Sequence, residues 1–372
     1  MEVSVENKQT LAKKYAKTHQ ILSVVETTLF FVILILLVLT GLSRDVENIS
    51  NKFFSNGYIA LLAYLAIIGL AESIINFPLD FYSGYILEHK YGLSNQTILK
   101  YFLEKLKSFA VGLVIGVPVI LIFYYILRNY ENGWWFIAGL FMFFFSVIIG
   151  RIAPVLIFPL FYKFKPIENE SVKSRILNLC KKTGIEIKGI FVFNMSKNTK
   201  KANAAFTGIG KSKRIILGDT LMDKFNEDEI ESVFAHEAGH FKKKHIIKSM
   251  ILSTLLTFAG LYVSSVLYKT ALINFGFINV YDIAALPLLA LFLSLYGLIT
   301  TPISNILSRK YEREADTFAL ETTGNNDAFI SAMEKLADQN LADKLPNKII
   351  EFLFHSHPSL QKRIEFARNY KR

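Results

Sequence analysis

His236 and His240 stand four residues apart with Glu237 beside the first, the pattern H-E-x-x-H. On a helix, residues four apart share a face, so both imidazoles can grip one ion while the glutamate beside them holds a water. The chemistry this allows is metal-assisted hydrolysis, in which an ion acidifies a water and a carboxylate takes its proton. A competing reading, accidental spacing of surface histidines, is weak in a chain with only seven histidines. A hydrolytic zinc site takes three protein ligands and leaves the fourth position to water. With Cys180 the sole cysteine, the remaining ligand must be His, Asp or Glu, and no disulfide can form within the chain.

The histidines need a helix to hold them. Asn226 followed by Glu229 reads as a capping box, and Ile230, Val233 and Phe234 follow at helical spacing. From there "SVFAHEAGHFKKKHIIKSMILSTLLTF" runs without an obvious break into an apolar stretch long enough to enter a bilayer. Similar runs lie near 21–42, 58–79, 109–127, 134–162, 246–268 and 283–306, most of them close to the roughly twenty residues that a spanning helix requires. A composition that is 52% hydrophobic makes this a membrane protein rather than a soluble domain. The first run reads as a retained span, because it follows a polar, lysine-bearing segment and lacks a small-residue cleavage pattern. Region 134–162, with Arg151, Pro154 and Pro159, reads either as one long broken helix or as a span followed by a short re-entrant piece. Six spans are clear and a seventh stays open.

The net charge of +11 does not point to nucleic acid, since the basic residues cluster in loops beside apolar spans, where lipid headgroups and topology account for them. Lys8, Lys13, Lys14 and Lys17 favour an N-inside, six-span arrangement. Either span count leaves 163–245 and the tail after 307 on the cytosolic side. The expected layout is membrane helices over 1–162, a cytosolic α+β segment over 163–245, two membrane helices over 246–306 and a cytosolic tail over 307–372. Within 163–245, "SVKSRILNLCKKTG" has helical spacing. "IEIKGIFVFNM" and "NAAFTGIGKSKRIILGDTLM" read as strands, with a turn at Gly208, Gly210 and the lysine-serine-lysine stretch.

The third ligand follows from the geometry of the last two spans. His240 precedes the fifth span by six residues, about 9 Å of helix, and Glu312 follows the sixth by the same number. Sequential antiparallel helices therefore bring them out at similar depth. Glu314 and Asp316 compete for the role. Glu314 faces away if Glu312 faces the ion, whereas Asp316 returns to the same face and can bind the ion or accept the outer N–H of a ligating histidine. The bland alternative for this stretch is a charged helix paired with Lys310 and Arg313. In the second span Glu72 and Asn76 lie one turn apart, and polar groups in lipid normally face a bundle interior or water. Glu26 is placed near the interface, and His245 and His355 have no role legible in the sequence.

"HEAGH", "SRKYEREAD", "NAAFTGIGKSKRIILGDTLM", "EHKYGLSNQT" and "SHPSLQKR" together resemble the CAAX prenyl protease 1 family of integral-membrane zinc metallopeptidases of the gluzincin type, from about residue 70 onward. HEAGH alone fits many metalloproteases; "EHKYGLSNQT" and the number of spans favour this branch. The resemblance implies an α-helical multi-span membrane protein around an intramembrane chamber, with a small α+β metallopeptidase domain on the cytosolic side. It implies one Zn2+ per chain held by His236, His240 and Glu312, Glu237 as general base, and Asp316 as the outer partner. His357 and Arg363 would steady the oxyanion and the substrate, and Asn203, Ala204, Ala205 and Phe206 the edge strand that holds an extended peptide. The family's seven helices conflict with the charge count over 134–162. The expected function is hydrolysis of peptide bonds in peptide or lipid-modified protein substrates within a lipid bilayer. Alternatives are a quality-control protease for membrane proteins and a scaffold with a vestigial metal site. Short loops and the lack of organelle-type extensions favour a prokaryotic cytoplasmic membrane over the endoplasmic reticulum or inner nuclear membrane.

Overall fold

The computed structural model describes residues 5–207 and 214–371. In chain order, α1 (Val5–Leu39) is followed by α2 (Leu42–Phe53) and α3 (Gly57–Phe81), which passes through a π turn at Tyr82–Leu87 into α4 (Glu88–Lys90). Next come α5 (Ile98–Asn129) and α6 (Trp134–Ile152), the latter continuing through a π turn at Ala153–Ile157 into α7 (Phe158–Phe161). Six stretches among the described residues are long and apolar enough to cross a membrane: Lys8–Leu39, Gly57–Lys90, Ile98–Asn129, Trp134–Phe161, His245–Asn274 and Ile283–Thr323. The stretch with two prolines is thus one helix that widens rather than stopping. Pro154 sits inside the π turn, where its missing N–H and its ring disturb the backbone ladder less than in a regular α turn. At 12 residues, α2 reaches only about 18 Å and cannot cross. The apolar windows of the six helices are 0–33% buried, so most of their apolar surface is not covered by other parts of the protein. Glu72 and Asn76 are half-buried on α3, and Asn76 Oδ1 has no hydrogen-bond partner among the described residues.

The segment outside the spans begins with β1 (Phe164–Pro166), α8 (Glu170–Thr183), β2 (Gly189–Phe193), β3 (Ala204–Thr207) and β4 (Arg214–Gly218), followed by α9 (Asp219–Lys224) and α10 (Glu227–Lys242). Its sheet has the order β1-β2-β4-β3, with β2 and β4 parallel and the outer pairs antiparallel. Ala204 is opposite Leu217 and Thr207 opposite Arg214, so among the described residues β3 is paired on one side only and is an edge strand, as the family resemblance implies. The predicted turn at Gly208, Gly210 and the lysine-serine-lysine stretch lies outside the described residues. The chain then forms α11 (His245–Asn274), α12 (Leu286–Thr323), α13 (Asn326–Gln339), α14 (Lys348–Phe354) and α15 (Leu360–Asn369).

The anticipated capping box starts α10: the Glu229 amide donates to Asn226 Oδ1 at 2.9 Å, and the Asn226 amide to Glu229 Oε2 at 2.8 Å. Phe234, Ala235 and Ala238 are buried among Ile176, Leu217, Leu221 and Phe329. That burial seats α10 on the sheet and α13. One expectation is corrected here, because α10 does not run unbroken into the fifth span. It ends at Lys242, and Lys244 adopts a left-handed conformation (φ 57°, ψ 34°) before α11 starts at His245. The lysine run at the junction carries no apolar stripe to hold a straight helix against the core.

Candidate active site

α10 and α12 cross closely enough to share a metal site, and Gly239 is what permits the approach. A Cβ at Gly239 would lie 3.0 Å from Ala315 Cα and 3.1 Å from both Ala315 O and Phe318 Cβ. Across this contact His236 Nε2 and His240 Nε2 are 3.2 Å apart. Glu312 Oε2 is 3.4 Å from the first, and Glu312 Oε1 3.2 Å from the second. One ligand atom from each of the three residues lies within 4.8 Å of the others, the one such triad among the described residues. α12 is continuous from the span through Glu312 to Thr323, so Glu312 reaches the two histidines despite the break after α10.

The donor set fits a divalent cation. Two imidazole nitrogens and a carboxylate converge with no protein group between them, and Glu312 Oε2, though buried, has no aligned hydrogen bond within the protein. Two histidines and a carboxylate from a third position are the ligands of an open hydrolytic zinc site. The field at this point favours positive charge. Burial and the nearby Arg363 cation push the His236 imidazole toward its neutral form, but the adjacent Asp316 and Glu312 carboxylates outweigh them and raise its pKa to about 9.

Each predicted site residue has a definite place. Asp316, 1% exposed, sets Oδ1 2.8 Å from His236 Nδ1, the outer-partner position. Arg363, also buried, donates from Nε to Asp316 Oδ2 at 2.9 Å and from Nη2 to Oδ1 at 2.6 Å; its Nη1 is 3.7 Å from Glu312 Oε2. The Arg363 fork thus fixes the carboxylate that fixes His236. His357, with its side chain 62% exposed, brings Nδ1 to 2.9 Å from Glu312 Oε2. Its loop is pinned by Arg309 Nη1, which donates to the carbonyls of Glu351 and His355, and by the Ser359 amide, which donates to Glu351 Oε1. His355 thereby gains a structural contact through its carbonyl.

Glu237 is half-buried and makes no hydrogen bond or ion pair to another described side chain, which leaves its carboxylate available to water or substrate. It lies between two depressions. One, of about 780 Å³, is also lined by Tyr15, Asn203, Ala204, His357 and Arg363. The other, of about 390 Å³, is mixed in character, lined by Phe206, Phe241, Ile246 and Tyr311 together with His240, His245, Ser249 and Ser308. β3 passes from the first to the second, while the Asn203 carbonyl accepts a hydrogen bond from the Gly218 amide at 2.9 Å. The sequence names His245 and Glu314 but does not reveal that they meet each other beside His240. His245 is 3% exposed, and its two nitrogens meet His240 and Glu314. The only hint was a further histidine five residues beyond the motif.

Membrane helices carrying this cleft and ligand triad define an integral-membrane metalloendopeptidase. Residues 166–371 match peptidase family M48, and residues 3–163 match the CAAX prenyl protease N-terminal region, described as five membrane helices. The chain belongs to peptidase family M48 and is a membrane zinc metalloprotease of the CAAX prenyl protease kind. Within 3–163 the described residues form four helices of spanning length together with the short α2. The chain is 31% identical over 361 residues to a Bacillus subtilis protein called uncharacterized metalloprotease YhfN, covering 96% of this chain and 84% of that one. It is 30% identical over 322 residues to CAAX prenyl protease 1 of Saccharomyces cerevisiae, covering 82% of this chain and 71% of that one. The crystal structure of S. mikatae Ste24p superimposes with a TM-score of 0.87 at 25% identity, covering 99% of this chain and 90% of that one.

Proposed function

We propose that this protein holds one zinc ion on His236, His240 and Glu312 and cuts extended peptides, among them the prenylated C-termini of membrane-tethered proteins. The observation that carries the reading is the placement of Glu237, unpaired, beside the ligand triad and between two depressions joined by the edge of β3. When bound, the metal supplies Lewis-acid polarisation of the carbonyl and acidification of a water. Glu237 takes the water's proton and delivers it to the leaving amine. The unpaired edge at Ala204, Ala205 and Phe206 offers main-chain hydrogen bonds to a peptide regardless of its sequence, and Asn203 continues that edge. His357 is exposed toward the cleft and placed to donate to the carbonyl oxygen as its charge grows. Arg363 supports the same charge at short range while it orients Asp316.

A reading with four spans before residue 163 and two between 245 and 323 has 163–245, the tail and the N-terminal lysines on one side, and the six candidate spanning helices support it. The excess of lysine on that side favours the cytosol. A bacterial relative covering 96% of the chain supports a prokaryotic cytoplasmic membrane.

The test compares wild type with Glu237→Gln, with zinc quantified, on farnesylated and unmodified CAAX peptides. The variant is expected to keep its zinc and to lose activity by about 10²-fold or more. Near-normal cleavage by Glu237→Gln would overturn the general-base assignment. Zinc binding without cleavage of either peptide by wild type would remove CAAX processing as the function.

A further inference from the structure

The two ligand histidines are held in different ways. His236 turns its outer nitrogen directly to the Asp316 carboxylate. His240 turns Nδ1 toward another imidazole, His245 Nδ1 at 3.0 Å, and His245 Nε2 lies 3.1 Å from Glu314 Oε2. We propose that His245 is the positioning residue of His240 and that Glu314 anchors it, so that the second ligand is oriented by a carboxylate acting through an intervening imidazole. This rests on the metallopeptidase reading above.

Counting hydrogens leaves one workable arrangement. His240 Nε2 faces His236 Nε2 and Glu312 and must be bare to bind an ion, so its proton sits on Nδ1 and is donated to His245 Nδ1. A neutral imidazole that accepts at Nδ1 carries its proton on Nε2. Glu314 accepts that proton, and all four ring nitrogens have a use. Reversing the chain would leave His240 Nδ1 bare and place its proton on the atom that has to bind the metal. A carboxylate at the far end selects the productive direction, since an ionised carboxylate can only accept.

The surroundings are built to hold this geometry. On an uninterrupted helix, residues five apart point roughly 140° away from each other. The left-handed turn at Lys244 brings His245 back against His240, with ring centroids 5.1 Å apart. Tyr311 stacks on the His245 ring at 4.3 Å and 10°, fixing its plane. Lys248 Nζ, 3.9 Å from Glu314 Oε2, favours the ionised carboxylate. Glu314, directed away from the triad, therefore has its own task.

The experiment measures zinc affinity by chelator competition on the purified full chain, and the d–d absorption of the cobalt-substituted protein. His245→Phe retains the stacking ring and the volume but neither polar atom. His245→Gln retains an acceptor for His240 and a donor for Glu314. Loss of an outer-shell partner typically costs 10–100-fold in metal affinity. His245→Phe is expected to fall in that range with an altered cobalt spectrum, Glu314→Ala to weaken binding in the same direction, and His245→Gln to recover most of the affinity. If His245→Phe binds zinc as wild type does, or if Phe and Gln lose affinity equally, the positioning role is overturned. Should His245→Phe fail to fold, Glu314→Ala decides alone, because that side chain is 30% exposed and its loss leaves no core cavity. Failure of wild type itself to bind zinc would instead refute the metallopeptidase reading.

Discussion

Gly239→Ala separates the demands of the fold from those of the metal site. The added Cβ would meet Ala315 Cα at 3.0 Å and Ala315 O at 3.1 Å, backbone atoms of α12 that no side-chain rotation can clear. Restoring ordinary contact requires α10 and α12 to part by about 0.5 Å or more, since carbon atoms pack best near 3.5–4.0 Å. Overpacking of this size costs typically 1–3 kcal/mol, and alanine regains up to about 1 kcal/mol over glycine in a helix interior. The net loss of stability is therefore modest, about 0–2 kcal/mol. The metal site is less forgiving, because ligand distances hold only within about 0.2 Å, and His236 and His240 sit on one of these helices with Glu312 on the other. Zinc affinity is expected to fall by at least about tenfold, or ~1.4 kcal/mol, while the melting temperature without metal moves by only a few degrees. Chelator competition and calorimetry on the same preparations measure both. A folded Gly239→Ala protein that binds zinc within twofold of wild type refutes the claim that this crossing sets the ligand geometry.

Two further perturbations test the segment that carries α10. Burial disfavours the Glu229 charge, but Lys335, Ser331 and the Asn226 amide hold its carboxyl below the usual carboxylate range. Its contribution is therefore fully present above the ordinary carboxylate pKa of about 4.3 and is lost as pH falls through the lower folded value. Glu229→Ala should cost about 2 kcal/mol at neutral pH and flatten the acid limb of the stability profile, as read by thermal melts across pH; an unchanged acid limb contradicts the assignment. Burial pushes the Cys180 thiol up to about 11, so maleimide labelling at pH 7.5 should be negligible in the folded protein and appear only on unfolding; prompt labelling of the folded protein would show that the core around α8 opens.

The sequence carried the metal site further than it carried the connections. H-E-x-x-H and its capping box are local signals, and Glu312 could be placed because a continuous helix converts residue count into distance. The break at Lys244 was not legible, because left-handed turns are signalled by glycine or asparagine and neither is present. That omission concealed His245, whose relation to His240 exists only after the turn. The two prolines of 134–162 left two readings open, and what decided between them was a π turn, which has no distinctive composition. Arg363 was legible only by resemblance. Its bidentate grip on Asp316 joins positions 47 residues apart, and nothing local announces it.

α12 gives the two halves of the metal site unequal attachments to the bilayer. Over its 38 residues it is about 57 Å long, nearly twice the hydrocarbon thickness, and it carries Glu312 and Asp316 on the same rod that crosses the lipid. His236 and His240 sit on a helix separated from its own span by the turn at Lys244. From Leu286 to Glu312 the rod extends about 39 Å, so a tilt of roughly 1° displaces the carboxylate by about 0.7 Å. Bilayer thickness and helix tilt are coupled. Glu312 is thus joined to the lipid-crossing stretch by one continuous helix, whereas His236 and His240 meet theirs only through the turn at Lys244, and the close Gly239–Ala315 contact is what ties the two attachments together.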